Sequence, residues 1–304
     1  MKSYDIIIIG GGPAGMTAAL YALRNNKTIL VLEKENFGGQ IALSPRLENY
    51  PTIESISGSE WADKLFTQIT NLGAEFELEK VEGISKNNGL FTVKTNYNEY
   101  NCKALIAANG VKPRALGLPN EADLVGKGVS YCAVCDGPFY KEKEIYLIGD
   151  ANTALQYALL LTSYCPKIHM LCLFDKLFGD EILIDRVKAN NKIDITFNTQ
   201  VIKFNADDSL KSIVIKNTKT EEEKTIKTDN VFVAIGQVPQ NEVFADLLTL
   251  DKGFIVTNDL METELEGLFA AGDTRAKLNK QVITACSDGA TAAISAVKYI
   301  NSHE

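Results

Sequence analysis

Two cysteines separated by two residues are the side chains of this sequence best suited to chemistry. They lie in the segment Cys132-Ala133-Val134-Cys135-Asp136, where a carboxylate directly follows the second sulfur. Two thiols at this spacing can close a disulfide and reopen it when two electrons arrive. Zinc sites use the same spacing, but zinc would need two further ligands. The sequence has no second C-x-x-C, and its only histidines, His169 and His303, are far apart, so we expect a redox-active pair and no metal site.

Length and composition restrict the classes of protein that need to be considered. The chain has 304 residues, which is long for one domain and sufficient for two. It is 45% hydrophobic and 23% charged, as in ordinary globular proteins, and its net charge of −8 argues against nucleic-acid binding. No apolar run approaches the roughly 20 residues that cross a bilayer, and no secretory leader is visible. Six cysteines in this length do not form a disulfide scaffold, so we expect a cytoplasmic protein that does not enter a membrane.

The first part of the chain has the pattern of a dinucleotide-binding fold. Residues 5–9 read as a buried parallel strand that runs into Gly10-Gly11-Gly12-Pro13-Ala14-Gly15, which satisfies G-x-G-x-x-G. A predicted helix over 14–24 points its amide end at the ligand's pyrophosphate. Glu33, which closes the next strand at 28–32, can accept both ribose hydroxyls. The apolar run 104–108 leads to Gly110, where we expect either a close approach to the dinucleotide or a plain turn.

A second copy of this plan follows the cysteine pair. Residues 144–148 form another apolar strand, 149–154 a glycine-containing turn, and the region to about 163 a helix. Strands are also expected at 167–173 and 231–235. The second of these ends in Gly236, just as the apolar run 104–108 of the first copy ends near Gly110. The sequence therefore predicts an α/β fold with two dinucleotide-binding units.

Periodicity and turn residues predict the remaining elements. They are a helix over 58–72, strands over 75–78, 90–95 and 193–197, a solvated hairpin within 205–228, a strand over 268–271 and a helix over 281–300. Gly272-Asp273 ends the strand over 268–271, and an aspartate that faces a helix N-terminus is well placed to hold a sugar-like chain.

The sequence resembles the low-molecular-weight thioredoxin reductases over essentially its whole length. The motifs that carry the resemblance are 10–15, Gly38-Gly39-Gln40, Glu48-Asn49-Tyr50-Pro51, Leu116-Gly117-Leu118-Pro119, 132–137, Ala234-Ile235-Gly236, 270–273 and Lys280-Gln281-Val282. The resemblance implies two Rossmann-like three-layer domains, the second inserted in the first. Residues 1–114 and 243–304 would form an FAD-binding domain, and residues 115–242 an inserted, degenerate NAD(P)H-type domain that carries the cysteine pair. It further implies a homodimer whose substrate is thioredoxin.

The resemblance also implies roles for individual residues. The pyrophosphate and adenosine ribose of FAD would be held by Gly10, Gly12, Gly15 and Glu33, and the flavin would be contacted by Gly39, Gln40, Asn49, Gln281 and Val282. Asp273 would hold the ribityl chain, and the cofactor-binding set would be completed by Pro13, Ala14, Lys34, Val81, Gly110 and Lys280. Cys135 would face the flavin, Cys132 would attack the thioredoxin disulfide, and Asp136 would act as the acid–base. Thiol chemistry supports the last role independently, because only a thiolate is a good nucleophile and its proton needs an acceptor.

The second dinucleotide turn departs from the family pattern. The family has G-x-G-x-x-A here and a following strand that ends in a histidine and two arginines. This chain has Asp150 and Ala151 in the turn and Cys172-Leu173-Phe174 at the strand end. A methyl group and a carboxylate both hinder a pyrophosphate, and Asp175 comes too late to bind an NAD ribose. The pattern is similar to that of the ferredoxin-dependent flavin thioredoxin reductases, so we expect reduced ferredoxin as the electron donor.

Two other interpretations stay open. One is a thioredoxin reductase with an atypical NAD(P)H site, in which NADPH or NADH would bleach the flavin under anaerobic conditions. The other is a flavin-binding redox sensor that does not turn over. The complete set of Cys132, Cys135 and Asp136 argues against the sensor.

Overall fold

The computed structural model describes residues 2–44 and 47–303. The chain divides into a first unit, Met1–Lys112 with Val238–Glu304, and an inserted unit, Pro113–Gln237. The sequence places these boundaries slightly later, after residues 114 and 242. Residues 240 and 241 belong to the first unit because Gln240 and Asn241 both accept hydrogen bonds from the side-chain amide of Asn109.

Nineteen strands are present in the described part of the chain. In chain order they are β1 (Lys2–Ile9), β2 (Ile29–Glu33), β3 (Glu75–Leu78), β4 (Val81–Asn87), β5 (Leu90–Thr95), β6 (Glu99–Ala107), β7 (Val111–Pro113), β8 (Val129–Ser130), β9 (Ile145–Ile148), β10 (Ile168–Leu171), β11 (Ile193–Thr196), β12 (Thr199–Ala206), β13 (Leu210–Asn217), β14 (Glu223–Lys227), β15 (Val231–Val233), β16 (Gln237–Pro239), β17 (Leu250–Asp251), β18 (Phe254–Ile255) and β19 (Leu268–Ala270).

Six α-helices and five short 3-10 helices complete the described elements. The α-helices are α1 (Pro13–Arg24), α2 (Gly58–Thr70), α3 (Ala133–Asp136), α4 (Asn152–Leu161), α5 (Glu181–Lys188) and α6 (Val282–His303). The 3-10 helices are Gly39–Leu43, Ala122–Leu124, Gly137–Tyr140, Glu242–Phe244 and Gly272–Thr274.

The first unit is organised around a seven-stranded sheet in the order β3-β2-β1-β6-β5-β4, with β19 also paired to β6. Strands β3, β2, β1, β6 and β19 are parallel, and β5 and β4 extend the sheet in antiparallel pairing. Successive side chains of β1 point to opposite faces, so Ile6 and Ile8 pack on the helical side while Ile7 and Ile9 pack on the other. Burial on both faces explains the unbroken apolar run at the start of the sequence.

Helices α1 and α6 of the first unit approach each other closely through small residues. A Cβ added to Gly289 of α6 would lie 2.1 Å from the carbonyl oxygen of Ala14, so only glycine fits at this position. Alanines 18 and 19 of α1 and 292, 293 and 296 of α6 are fully buried in the same core. This packing fixes α6 and the loop that precedes it against the beginning of α1.

The inserted unit contains a five-stranded parallel sheet in the order β11-β10-β9-β15-β8. Helices α4 and α5 bury apolar side chains against one face, among them Leu155 and Leu183. The three-stranded antiparallel sheet β12-β13-β14 covers the other face, where Phe204 and Ile213 are buried. The β13–β14 pair agrees with the hairpin expected in this region, and the predicted α/β fold class with two Rossmann-like units is confirmed. Within the described residues, no helix is long and apolar enough to cross a membrane.

Candidate active site

The turn between β1 and α1 is so tight that two of its glycines are required by the fold. Gly10 has a φ of +111°, and a Cβ there would lie 2.2 Å from the carbonyl oxygen of Ala108. A Cβ on Gly15 would lie 1.9 Å from the carbonyl oxygen of Gly10. A Cβ on Gly12 would meet nothing closer than 3.9 Å, and its φ of −83° suits any residue. The fold alone therefore does not explain glycine at position 12, whereas a ligand lying against the backbone would.

Glu33 ends β2 beside this turn and is held there by backbone donors. Its Oε2 accepts a hydrogen bond from the N–H of Gly11 at 2.8 Å, and its Oε1 accepts from the N–H groups of Lys34 and Glu35 at 2.8 and 2.9 Å. The carboxylate consequently sits at the carboxyl ends of the parallel strands, where open α/β sheets bind ligands.

A cavity of about 670 Å³ opens at this edge of the first unit. Its volume lies within the range of about 300–1,000 Å³ that is usual for cofactor sites. Four residues expected to bind the cofactor line it, namely Gly10, Glu33, Lys34 and Val81. Sequence reasoning missed several further lining residues, which are Glu79, Lys80, Glu82, Asn109, Lys112, Gln240 and Glu242. The distant segments meet because Asn109 and Lys34 both hydrogen-bond to Gln240, a contact for which the sequence gives no local signal.

Asp273 lies near the start of α1, on the 3-10 helix that follows β19. A Cβ on the neighbouring Gly272 would lie 2.8 Å from the Cβ of Ala14, which shows how near this segment is to α1. The Oδ1 atom of Asp273 is buried and has no hydrogen-bond partner among the described residues. Burial raises the pKa of this carboxyl, and the charge of Lys277 acts in the opposite direction.

Other residues of the predicted cofactor set fall into two groups. Asn49 and Gln281, far apart in sequence, are joined by a hydrogen bond of 3.2 Å between their amides, and a Cβ on Gly39 would lie 3.1 Å from the Cα of Gly12. In the second group, Gln40 is exposed, and Lys280 Nζ lies 3.7 Å from the centre of the Phe254 ring. Pro13 is the first residue of α1, and Val282 is the first residue of α6. Gly110 has a φ of +60° and open space around it, which agrees with a plain turn.

Three features of the first unit together fit a long dinucleotide such as FAD. They are the uncovered backbone at Gly12, which we call the dinucleotide cradle, the carboxylate of Glu33 at the end of β2, and the unpaired Oδ1 of Asp273.

In the inserted unit, Cys132 and Cys135 form a disulfide at the start of α3. Cys132 is the N-cap residue, and its Sγ accepts a hydrogen bond from the N–H of Cys135 at 3.2 Å. Cys135 is exposed, Cys132 and Asp136 are partly exposed, and Ala133 between the sulfurs is fully buried. The buried alanine anchors the segment, so both sulfurs stay near the surface.

The residue before Cys132 is tied to a buried carboxylate. Glu121 is only 3% exposed, and one of its oxygens accepts the hydroxyl of Tyr131 at 2.5 Å. The same carboxylate accepts the backbone N–H groups of residues 116, 117 and 118 at 2.9, 2.7 and 3.1 Å. Burial, together with the bond to Glu121, raises the pKa of Tyr131 well above its usual value. The motif at residues 116–119 is recognisable in the sequence, whereas the role of Glu121 becomes visible only in the structure.

The second glycine turn of the chain, between β9 and α4, differs from the first. Gly149 resembles Gly10, since its φ is +146° and a Cβ there would lie 2.3 Å from the carbonyl oxygen of Ala234. Ala151 is the N-cap of α4, and its methyl group stands where Gly12 leaves the backbone bare. Burial raises the pKa of Asp150, so the turn disfavours negative charge. A pyrophosphate would meet both obstacles here.

The strand that follows this turn ends in apolar side chains. Cys172 is fully buried and its Sγ donates to the carbonyl oxygen of Gly149 at 3.4 Å. Burial raises the pKa of its thiol to about 12, with a smaller effect from Asp150. Phe174 is half exposed and its ring contacts that of Phe178 edge-on, and the nearby Lys176 lies over the Phe178 ring. Asp175 pairs with Lys219 at 3.7 Å. Among the described residues, the strand end at positions 172–174 supplies neither a guanidinium for a 2′-phosphate nor a carboxylate for a ribose.

Comparison with known proteins decides the family. The model of the pyridine nucleotide-disulphide oxidoreductases matches residues 4–289. The chain belongs to this family. The thioredoxin reductase of Bacillus subtilis is 40% identical to this member over 301 residues, which are 98% of this chain and 95% of the relative.

Solved structures place this oxidoreductase beside the thioredoxin reductases. That of Lactococcus lactis has a TM-score of 0.96 at 38% identity and covers 98% of this chain and 99% of its own. That of T. acidophilum has a TM-score of 0.94 at 33% identity over the whole of both chains. A ferredoxin-flavin thioredoxin reductase from Clostridium acetobutylicum is less similar, with a TM-score of 0.55 and 28% identity over 99% of both chains. The chain is therefore a member of the pyridine nucleotide-disulphide oxidoreductases of the thioredoxin reductase type.

Proposed function

We propose that this chain is an FAD-dependent disulfide oxidoreductase that reduces thioredoxin through Cys132 and Cys135, with electrons from reduced ferredoxin rather than from NADPH. Family membership, the disulfide at α3 and the dinucleotide cradle of the first unit support the flavoprotein activity. The choice of donor rests on one observation: the second glycine turn contains Asp150 and Ala151, and the strand that follows it ends in the apolar residues 172–174. A cytoplasmic homodimer, as the family resemblance implies, is part of the same proposal.

The cysteine pair performs an exchange in which atoms and electrons balance. Two electrons and two protons convert the Cys132–Cys135 disulfide into a dithiol. The thiolate of Cys132 attacks one sulfur of thioredoxin, so that a mixed disulfide forms and the other thioredoxin sulfur leaves and takes up a proton. The thiolate of Cys135 then attacks the Cys132 sulfur, and the departing sulfur of thioredoxin takes up a proton. Thioredoxin has gained two electrons and two protons, and the Cys132–Cys135 disulfide is restored.

Two features of the α3 segment assist this exchange. The Cys135 N–H that hydrogen-bonds to Cys132 Sγ stabilises negative charge on that sulfur, which favours the thiolate. Asp136 directly follows Cys135 and is partly exposed, so it can accept a proton from a thiol and return one to the departing sulfur. In this proposal Asp136 is the acid–base of the exchange.

The first unit would hold the cofactor along the carboxyl ends of its parallel strands. The backbone at Gly12 would meet the pyrophosphate, Glu33 the adenosine ribose, and Asp273 the ribityl chain. When bound, FAD supplies the ability to accept electrons singly and to deliver them as a pair. This ability matches a one-electron donor such as ferredoxin to a two-electron acceptor such as a disulfide.

The decisive test offers the donors side by side under anaerobic conditions. The flavin absorbance is recorded after addition of millimolar NADPH, millimolar NADH or enzymatically reduced ferredoxin, and thioredoxin thiols are then titrated. We expect ferredoxin alone to bleach the flavin and to yield reduced thioredoxin. Rapid bleaching by NADPH would overturn the choice of donor and establish the alternative of an atypical NAD(P)H site.

A variant series makes the same test sharper. The triple variant Ala151→Gly, Leu173→Arg and Phe174→Arg removes the methyl group and adds two guanidinium groups for a 2′-phosphate. We expect it to gain measurable affinity for 2′-phosphorylated nucleotides, while the Ala151→Gly single variant with its apolar strand end gains much less. Equal affinity of the parent and the triple variant for such nucleotides would show that these positions do not decide the donor.

A further inference from the structure

Asp288 is a buried carboxylate of α6 that binds three residues of one short segment of the first unit, residues 272–277. It is 7% exposed, and its Oδ1 forms an ion pair with Arg275 Nη1 at 2.9 Å. Its Oδ2 accepts hydrogen bonds from Lys277 Nζ at 2.8 Å and from the backbone N–H of Gly272 at 3.0 Å. The three donors belong to residues 272–277, the segment that carries Asp273. A single carboxylate therefore fixes both ends of this segment on α6.

Lys277 lies between two acidic groups. Its Nζ is 2.8 Å from Asp288 Oδ2 and 3.8 Å from Asp273 Oδ1, and its side chain is only 12% exposed. The Oδ1 atom of Asp273 has no hydrogen-bond partner among the described residues, and Lys277 at 3.8 Å is a cation that compensates its charge. Burial and the charge of Asp288 favour the neutral form of Asp273, whereas Lys277 and Lys280 favour the ionised form. Arg275 neutralises Asp288 from the other side.

We propose that Asp288 and Lys277 are positioning residues for the cofactor: Asp288 fixes the segment that carries Asp273, and Lys277 keeps the Asp273 carboxylate ionised and in place to accept hydrogen bonds from the polyol chain of FAD. This inference rests on the proposed function, in which Asp273 meets that chain.

The chemistry of a carboxyl group explains why its charge matters at this place. An ionised carboxylate offers acceptor sites on both oxygens, and its hydrogen bonds from hydroxyl groups are strengthened by the charge. A protonated carboxyl must use one oxygen as a donor and loses that strengthening. A buried aspartate without a compensating cation takes up its proton at a higher pH. Removal of Lys277 should therefore weaken FAD binding, and more so as the pH falls.

The experiment measures FAD affinity between pH 5.5 and 8.5 by titrating apoprotein into FAD and following the fluorescence of the free flavin. Lys277→Met should weaken binding about tenfold near neutral pH, with a larger loss at lower pH. Lys277→Arg keeps the charge and should recover most of the affinity. Lys298→Met removes an exposed lysine of α6, and this variant should bind FAD as the parent does.

Two further variants separate the possible results. Asp273→Asn should weaken binding by itself and should abolish the pH dependence of Lys277→Met when the two are combined. Parent-like affinity of Asp273→Asn would refute the role of Asp273 in the proposed function. Weakened binding by Asp273→Asn together with parent-like binding by both Lys277→Met and Asp288→Asn, at every pH, would refute this inference alone. Thermal melting of each apoprotein identifies any variant that fails to fold, and Lys277→Arg then still tests the inference through its pH profile.

Discussion

Substitution of Gly12 by alanine should separate cofactor binding from folding. A Cβ at this position meets no atom closer than 3.9 Å, and φ is −83°, so the backbone accepts alanine without strain. Alanine is a poorer N-cap than glycine by about 0.5–1 kcal/mol, but it stabilises the folded protein by about 0.4–1 kcal/mol because it lowers the conformational entropy of the unfolded chain. These terms nearly cancel, and we expect the free energy of unfolding of the apoprotein to change by less than about 0.5 kcal/mol.

The same methyl group would project toward a pyrophosphate that lies on the turn. Displacement of the anion would weaken one charge-assisted hydrogen bond from the backbone, which contributes about 1.5–3 kcal/mol. At 1.4 kcal/mol for each factor of ten, FAD affinity should fall about 10- to 100-fold. The dissociation constant is measured by flavin fluorescence on apoprotein whose folding has been checked by thermal melting.

Gly15→Ala is the matched control in the same turn. Its Cβ would lie 1.9 Å from the carbonyl oxygen of Gly10, so the helix or the turn must move. Overpacking of this kind costs about 1–3 kcal/mol, and we expect the apoprotein to lose stability in that range. Parent-like affinity of Gly12→Ala for FAD would refute the reasoning, because the pyrophosphate would then not lie against this backbone.

Three further predictions concern the inserted unit. Cys132→Ser and Cys135→Ser should each abolish thioredoxin reduction while FAD stays bound, and more than a few per cent of the parent turnover in either variant would exclude the dithiol relay. The Glu121 carboxylate accepts hydrogen bonds from four donors, and Glu121→Gln replaces one of its two acceptor oxygens by a donor. The free energy of unfolding measured in urea should therefore fall by about 1–3 kcal/mol. An unchanged unfolding midpoint would contradict this prediction. Burial raises the pKa of Asp150 in the folded protein above its ordinary value of 3.8. The ionised carboxylate therefore destabilises the folded protein when the pH is above the raised pKa, and this destabilisation is absent when the pH is below 3.8. Asp150→Asn should therefore raise the melting temperature at pH 7, and the gain should shrink as the pH falls toward 4.

The parts of the fold that sequence reasoning predicted best are those with a strict local pattern. The strand before Gly10 and the helix after it follow from an apolar run, a glycine turn and a proline at the first helical position, all of which act over neighbouring residues. Helix α5 was not predicted, although Leu183, Ile184 and Val187 form a buried stripe, because the helix spans only 8 residues. Strand β12 was missed as well, since its pairing with β13 alone makes it a strand.

Residues of the candidate site that depend on long-range contacts were beyond local reasoning. Gln240 reaches the cavity of the first unit through its bonds with Lys34 and Asn109, which are more than a hundred positions away. Asp288 has the appearance of one polar residue within an amphipathic helix until Arg275 and Lys277 are seen to converge on it. Sequence patterns identify groups that react or cap a turn, but they do not reveal the ion pairs that hold such groups in place.

The two glycine turns of this chain provide an internal comparison of what the fold requires and what a ligand requires. The first glycine of each turn, Gly10 and Gly149, is fixed by a carbonyl oxygen that would lie 2.2 or 2.3 Å from any Cβ. Both copies keep it because the strand cannot otherwise pass its neighbour. At the middle position a side chain is sterically acceptable, and here the copies differ, with Gly12 in one and Ala151 in the other. A glycine that the packing does not require is thus present in the turn beside the cavity and Glu33, and absent from the turn that leads to Cys172, Leu173 and Phe174. The inserted unit carries the Cys132–Cys135 pair on the same architecture, and the proposed choice of a donor other than NADPH rests on this difference between the two turns.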